Sequence, residues 1–315
     1  MRTMRGRFAP SPTGEIHLGN VWTALLAWLQ VRALGGTMVL RVEDLDPARS
    51  RPAYIEGLIA DMKWLGLDWD EGPDIGGRYA PYCQDKRREL YQAAIERLAA
   101  AGLVYPCYCT RAELAASAPH AGESERVYSG ICRLRKPGDA TQATRRPALR
   151  LAVPPGEICF TDLHAGFVSQ NICQEVGDFV VRRSDGIHAY QLAVVVDDAA
   201  MNITHVLRGD DLLSSTPRQL LLYRLLGMEA PIFTHVPLLI DQEGHRLSKR
   251  QQALAIAALR SQGVKAEGII GYLAWKSGLL EQYQPVKASE LIDSFTVDKL
   301  PSGQIVIEHS LPLLS

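Results

Sequence analysis

Two polar strings in this chain carry residue types suited to handling a nucleotide. The first is Pro10-Ser11-Pro12-Thr13-Gly14-Glu15-Ile16-His17-Leu18-Gly19-Asn20, which runs into an apolar, helix-patterned stretch, VWTALLAWLQV. A helix N-terminus presents unpaired N–H groups and a partial positive charge, and both favour a phosphate. His17 can donate to phosphate oxygens as negative charge builds in a transition state. Gly19, lacking a Cβ, lets adenine or ribose approach the backbone. The second string is His245-Arg246-Leu247-Ser248-Lys249-Arg250, after the loop DQEG. A cationic loop there can clamp the pyrophosphate end of ATP as it leaves, with Lys249 as the principal charge. Taken singly, the first string also reads as a turn in which His17 caps a core helix, and the second as a solvated basic turn.

A third constellation is built on sulfur. The chain has six cysteines, Cys83, Cys107, Cys109, Cys132, Cys159 and Cys173. The N-terminal positive charges are not followed by an apolar secretory segment, so a disulfide framework is not expected. Cys107 and Cys109, with Cys132 downstream, can reach one zinc ion but supply only three soft ligands. The fourth is open between the phenol of Tyr128 and the more conventional imidazole of His120. The remaining thiols read as ordinary core or near-core cysteines.

The elements that must hold these groups follow from pattern. At 315 residues, with 47% hydrophobic residues, the chain has enough apolar material for two domains or one large one. With 34 basic against 35 acidic residues, net charge argues neither for nor against nucleic acid. No apolar run is long enough to span a membrane. The first strand, the helix ending at Gly35-Gly36 and the strand TMVLRVED make a β-α-β arrangement, expected in a parallel α/β sheet. Helices are predicted over 51–67 and 86–101, the latter stopped by Gly102. Residues 106–150 are rich in Cys, Pro, Gly, Ser and Arg, and strand-like segments follow at ALRLAV, FTDLHAGFVS and GDFVVRRSDG. The spacing therefore predicts two halves of one α/β core at 1–105 and 186–243. An inserted α+β module occupies 106–185, and a largely helical tail covers 244–315. In the second half, VVV (194–196) and ITHVL (203–207) read as buried strands. Thr216 reads as an N-cap, Pro217 as the first helical residue, and Gln219 as the partner completing a capping box, with Gly227 as the stop.

In this order, HLGN and RLSKR resemble the two signatures of class I aminoacyl-tRNA synthetases. RFAPSPTGEIHLGN, RVEDLDPAR, GLDWDEGP, HAYQLAVVVDDAAMNITHVLRGDDLLSSTPRQ and HRLSK are similar to the glutamyl-tRNA synthetase family from Arg7 to about Arg250. The resemblance implies a Rossmann-type parallel sheet. It also implies that glutamate's carboxylate attacks the α-phosphorus of ATP, with magnesium accompanying the nucleotide. In that reading Arg7 and Arg208 hold substrate carboxylate, where a guanidinium pairs bidentately. Ser11 lies beside them, Glu43 accepts the α-ammonium and Tyr190 donates its hydroxyl. Asn20 and Ser248 join His17, Gly19 and Lys249 at the nucleotide. The signature departs from the family at Arg246, where a lysine is usual, and at Arg250, where a serine is usual.

Length and cysteines narrow the resemblance. Only residues 251–315 follow the basic string, so no helical anticodon-binding domain is expected. RVEDLDPAR and the Cys-x-Cys…Tyr-x-x-x-Cys spacing resemble the bacterial glutamyl-queuosine tRNA(Asp) synthetases, short paralogues of glutamyl-tRNA synthetase. That resemblance implies one structural zinc with Tyr128 as fourth ligand. It also implies transfer of glutamate to the queuosine base in the anticodon loop of tRNA(Asp), by a cytoplasmic, monomeric enzyme. The alternative is a truncated glutamyl-tRNA synthetase charging a tRNA 3′ end. Arg133, Arg135, Lys136, Arg145 and Arg146 are the basic candidates for RNA contact.

Overall fold

A computed structural model describes residues 3–110, 113, 127–128, 130–134, 146–247 and 254–307. Strand β1 (Arg5–Phe8) leads into the Pro/Gly turn, and helix α1 (Leu18–Ala33) starts at His17. His17 has extended backbone, and its side chain accepts from the Gly19 N–H. The Asn20 side chain returns to the His17 N–H, closing a capping box. Helix α1 buries Leu18, Val21, Trp22 and every residue from Ala24 to Val31. A helix apolar on all sides belongs in the middle of a protein. The chain reverses at Gly35 (φ +59°) into β2 (Thr37–Leu40), parallel to β1 with Arg5 opposite Thr37 and Phe8 opposite Leu40. Helices α2 (Pro52–Trp64) and α3 (Arg88–Ala100) follow, and Gly102 (φ +73°) turns the chain after α3.

The next strands are antiparallel. Strands β3 (Val104–Cys107), β4 (Ala148–Leu151) and β7 (Phe179–Arg182) form one sheet in the order β3-β4-β7. Strands β5 (Ile158–Asp162) and β6 (Gly166–Gln170) form a hairpin, followed by the short helix α4 (Ile172–Glu175). The segment FTDLHAGFVS is therefore two strands. Asp162 turns it, its Oδ1 accepting the N–H groups of His164 and Ala165.

Parallel pairing then resumes. Helix α5 (Tyr190–Ala200) leads to β8 (His205–Gly209), and helix α6 (Thr216–Leu225) leads to β9 (Ile232–Val236), parallel to β8. Strand β8 lies beside β1, where the Thr204 N–H donates to the Arg5 carbonyl at 2.9 Å. Two β-α-β units are thus joined edge to edge. A short parallel pair, β10 (Leu239–Ile240) with β11 (Ile305–Val306), and helices α7 (Ile256–Ser261) and α8 (Ala266–Lys276) complete the described chain. One apolar core surrounds α1 and α8, and a second lies among α3, α5 and α6.

Three local expectations are overturned, the first being that Cys159 and Cys173, read as core or near-core thiols, are exposed on the hairpin and the short helix after it. Val194–Val196 lie in α5, not in a strand. A short apolar run has no period of its own, and burial on both faces outweighs the modest helix cost of β-branched residues. Thr216 and Gln219 form no capping box: Ser215 holds the cap position and makes no side-chain capping bond. The two side chains instead accept from Arg208 Nη2, each at 2.8 Å. A buried guanidinium needs acceptors more than a helix end does when a 3₁₀ turn, Asp210–Ser215, runs straight into it.

Helix α8 is seated by a glycine. A Cβ at Gly271 would lie 1.9 Å from the Gln284 carbonyl oxygen, which is backbone and cannot rotate away. We expect Gly271→Ala to lower stability by about 1–3 kcal/mol, as overpacking does, read as a shifted urea midpoint. An unchanged midpoint would place α8 away from the 284–285 segment.

Candidate active site

The structure brings Arg7, Ser11, His17, Gly19, Asn20, Glu43, Tyr190 and Arg208 to the wall of one cavity of about 550 Å³. They arrive from different elements. Arg7 lies on β1, Ser11 to Asn20 on the turn and start of α1, Glu43 just after β2, Tyr190 at the start of α5, and Arg208 on β8. Arg246 and Leu247 reach the same wall, and Arg246 pairs with Asp211. Ser248, Lys249 and Arg250 lie outside the described residues. The chain on both sides of them is held at the cavity: His17 pairs with Ala255 as an isolated bridge, and the Ile256 N–H donates to the Ile16 carbonyl at 3.0 Å.

His17 caps α1 and lines the cavity at once. Its Nδ1 accepts from the Gly19 N–H at 3.1 Å, so the neutral ring carries its hydrogen on Nε2. Capping therefore sets the tautomer that can donate outward.

Two charge arrangements stand behind the wall. In the first, Arg7 Nε lies 3.4 Å from Asp198, and Arg41 reaches Asp198 at 2.6 Å and Glu43 at 3.2 Å. Asp197 takes Arg87 at 2.6 Å, Gln84 at 2.7 Å and the Tyr91 hydroxyl at 2.8 Å. Burial pushes the Asp198 carboxyl up, but Arg41 and Arg7 outweigh it and hold the group below its usual range. For Glu43, burial prevails over the pull of Arg41 and Arg7, and its carboxyl is raised. Burial likewise raises the Tyr190 phenol.

The second arrangement is Arg208, 5% exposed. Its Nε donates to His235 Nε2 at 3.0 Å, its Nη1 to the Tyr190 hydroxyl at 3.2 Å, and its Nη2 to Thr216 and Gln219. All four acceptors are neutral, and among the described residues no carboxylate pairs with it. Burial lowers its pKa from the usual value, and the nearby charge of Arg7 adds to that. The sequence analysis passed over Arg41, Asp197, Asp198 and His235. The available signal was a charged or polar residue inside an apolar run, as in LRVED, AVVVDDA and IFTHV.

A second cavity of about 550 Å³ meets the first at Ser11, Thr13, Glu43 and Tyr190, and extends past Asp46, Arg49, Arg183 and His188.

The sulfur constellation assembles away from this cavity. The Sγ atoms of Cys107, Cys109 and Cys132 lie within 4.8 Å of one another. The Tyr128 hydroxyl is 3.4 Å from Cys107 Sγ and 3.7 Å from Cys109 Sγ. Zinc–sulfur bonds of about 2.3 Å in a tetrahedron give ligand edges of about 3.8 Å, so these four donors fit one zinc ion. His120 lies outside the described residues. The Arg150 guanidinium covers the Tyr128 ring at 3.7 Å and donates to Cys107 Sγ at 3.3 Å, a favourable neighbour for anionic ligands. Of the basic RNA candidates, Arg133 pairs with Asp178 at 3.6 Å and Arg146 is exposed. Arg135, Lys136 and Arg145 lie outside the described residues.

Paired β-α-β units with an HLGN turn at the first helix, and with Arg246 and Leu247 at the cavity wall, define the catalytic fold of class I synthetases. The chain belongs to the family described as "tRNA synthetases class I (E and Q), catalytic domain", which matches residues 3–311. It is 55% identical to a protein of Symbiobacterium thermophilum named Glutamyl-Q tRNA(Asp) synthetase, covering 96% of this chain and 95% of that one. A protein of the same name from Nitratidesulfovibrio vulgaris is 51% identical over equal shares. The Glutamate--tRNA ligase of S. thermophilum is 42% identical, with 66% of its length covered. A crystal structure of the glutamate-tRNA synthetase of Elizabethkingia anophelis superposes with a TM-score of 0.84 at 30% identity, covering 98% of this chain and 68% of that one. The chain is thus a class I aminoacyl-tRNA-synthetase-like ligase. No helix among the described residues is long and apolar enough to cross a membrane.

We expect the purified protein to carry one zinc ion per chain by elemental analysis. Tyr128→Phe is expected to retain it at least about tenfold less well against a chelator, as loss of one ligand requires. A metal-free chain whose melting temperature does not respond to chelator or added zinc would reject the four-donor site.

Proposed function

We propose that this protein activates L-glutamate with ATP and transfers it to the queuosine base in the anticodon loop of tRNA(Asp). The observation that carries the first half is Arg208. A buried guanidinium whose acceptors among the described residues are all neutral, at the edge of an open cavity, is a seat for a carboxylate. Arg7 adds a second cation, and Ser11 and Tyr190 add hydroxyls. Glu43, whose carboxyl burial has raised, gains a counter-charge when an α-ammonium binds.

The reaction needs no protein nucleophile. A glutamate carboxylate oxygen bonds to the α-phosphorus of ATP as the bond to pyrophosphate breaks, leaving glutamyl-adenylate. His17, through Nε2–H, and Lys249 stabilise the charge that moves toward pyrophosphate, while Gly19, Asn20 and Ser248 seat the nucleotide. Magnesium supplies charge neutralisation on the phosphates. In the second step a hydroxyl of the queuosine cyclopentene ring attacks the activated carbonyl, AMP leaves, and an ester forms. The second cavity, meeting the first at Glu43 and Tyr190, is the entry for that acceptor. Cys107, Cys109, Tyr128 and Cys132 would hold zinc, which when bound would tie the end of β3 to Tyr128 and Cys132 as a structural link. The enzyme acts in the cytoplasm as a monomer.

The acceptor assignment draws on one organism. S. thermophilum has both a protein named Glutamyl-Q tRNA(Asp) synthetase and a Glutamate--tRNA ligase, and this chain is 55% identical to the first and 42% to the second. Distance between species cannot produce that difference. The other reading, charging of a tRNA 3′ end, is tested in the same experiment.

Radiolabelled glutamate is expected to appear on tRNA(Asp) bearing queuosine, and not on the unmodified tRNA or on tRNA(Glu). Labelling of tRNA(Glu) alone would reject the acceptor. Lys249→Ala is expected to slow ATP–pyrophosphate exchange about 100- to 1,000-fold, the scale of one lost charge-stabilising donor. An unaltered rate would remove Lys249 from the mechanism. Because burial raises the Glu43 carboxyl, it protonates at higher pH than an ordinary carboxylate, and the substrate ammonium then loses its acceptor. The KM for glutamate should therefore climb on acidification before exposed carboxylates titrate, and Glu43→Gln should raise it at neutral pH and flatten the acid limb. A pH-independent KM in the parent would exclude Glu43 from the ammonium site.

A further inference from the structure

His235, on β9, is 1% exposed and sits between two groups that dictate its protonation. On one side its Nδ1 lies 2.6 Å from Asp162 Oδ2. Asp162 closes strand β5, and its Oδ1 already accepts the N–H groups of His164, Ala165 and His235 at 2.9, 2.8 and 3.1 Å. On the other side, His235 Nε2 accepts from Arg208 Nε at 3.0 Å and lies 3.0 Å from the Thr216 hydroxyl. An ionised carboxylate can only accept and a guanidinium can only donate. The neutral ring with its hydrogen on Nδ1 is the one form both neighbours admit.

We infer that Asp162 and His235 form a positioning relay, running from the antiparallel hairpin to β8, that fixes the guanidinium plane of Arg208 and thereby the seat of the substrate carboxylate. This inference rests on the reading of Arg208 as that seat. A guanidinium has five N–H donors. His235, Thr216, Gln219 and Tyr190 account for four of those of Arg208, leaving one on Nη1, the nitrogen beside Tyr190. His235 is thus an acceptor that adds no charge, where a carboxylate in its place would neutralise the arginine before substrate arrived. Phe233 lies near-parallel to the imidazole, with 6.0 Å between ring centroids and 14° between planes. Burial lowers the His235 pKa against the pull of Asp162, with Arg208 and Arg7 lowering it further, which agrees with the neutral ring. For Asp162, burial pushes the carboxyl up, but the His235 ring and the backbone amides outweigh it and keep it ionised.

The test is Asp162→Asn in the full chain. An asparagine keeps Oδ1 for the three backbone N–H groups but replaces Oδ2 with an N–H₂ donor. The ring must then accept at Nδ1 and carry its hydrogen on Nε2, where it meets the Arg208 N–H head-on. Glutamate and ATP affinities are measured by titration calorimetry, alongside His235→Leu and Arg208→Leu, and ¹⁵N NMR reads the His235 tautomer. We expect the Nδ1–H form in the parent and the Nε2–H form in Asp162→Asn. Glutamate binding should be at least tenfold weaker in both Asp162→Asn and His235→Leu, with ATP binding within twofold. An Nε2–H or doubly protonated His235 in the parent, a measurement that needs no variant to fold, would overturn the relay. So would unchanged glutamate affinity in Asp162→Asn or His235→Leu while Arg208→Leu loses it. Unchanged affinity in Arg208→Leu would instead show that Arg208 is not the carboxylate seat, and the relay would fall with that reading.

Discussion

A buried cation, Arg208, with no paired carboxylate among the described residues, is the constraint around which the rest of this structure is arranged. Moving a guanidinium out of water costs several kcal/mol even after relaxation. Arg208 meets that cost through hydrogen bonds, to an imidazole, a phenol, a hydroxyl and an amide, none of which removes its charge. The residual field at the cavity wall is then available to a ligand. Thr216 and Gln219 serve this cation at the expense of capping their own helix, and Asp162 is placed on a hairpin from which it can hold the imidazole. A helix start and a strand pairing have each been fitted to one side chain.

The neighbouring cluster solves the opposite problem. Arg7, Arg41 and Arg87 share Asp197, Asp198 and Glu43 in a layer among β1, β2 and α5. Such a layer is not where fold stability resides. An apolar replacement of a whole buried ion pair is often neutral or better, while removal of one partner costs about 3–5 kcal/mol. The two apolar cores, around α1 and α8 and among α3, α5 and α6, supply the driving force for folding. The charges define geometry: Asp198 fixes Arg7, and Arg41 fixes Glu43. Both side chains therefore face the cavity already oriented, so a ligand need not order them.

The antiparallel strands contribute to this site from behind. They carry Asp162 at the end of β5, in contact with His235, and, away from the cavity, Cys107 at the end of β3 as part of a donor set that fits zinc. A segment that looks separate in composition is thus linked to Arg208 by a hydrogen-bonded path through a single imidazole.

The sequence by itself determined whatever is encoded locally. The HLGN turn and its capping box, the apolar helix behind it, the helices stopped at Gly102 and Gly227, and the close cysteine spacing all depend on backbone preferences over a few residues. Family membership followed from ordered strings of the same kind. The tertiary structure alone decided whether Val194–Val196 would be strand or helix, because burial on both faces erases periodicity. It alone decided what Thr216 and Gln219 bind, because a buried guanidinium from another strand outcompetes a helix end for their oxygens. Asp162 and His235 stand 73 residues apart, and no local pattern records that a polar side chain within an apolar strand has found its partner at that distance. Backbone conformation is set by near neighbours, whereas the pairing of buried charges is set by which chain segments fold against each other.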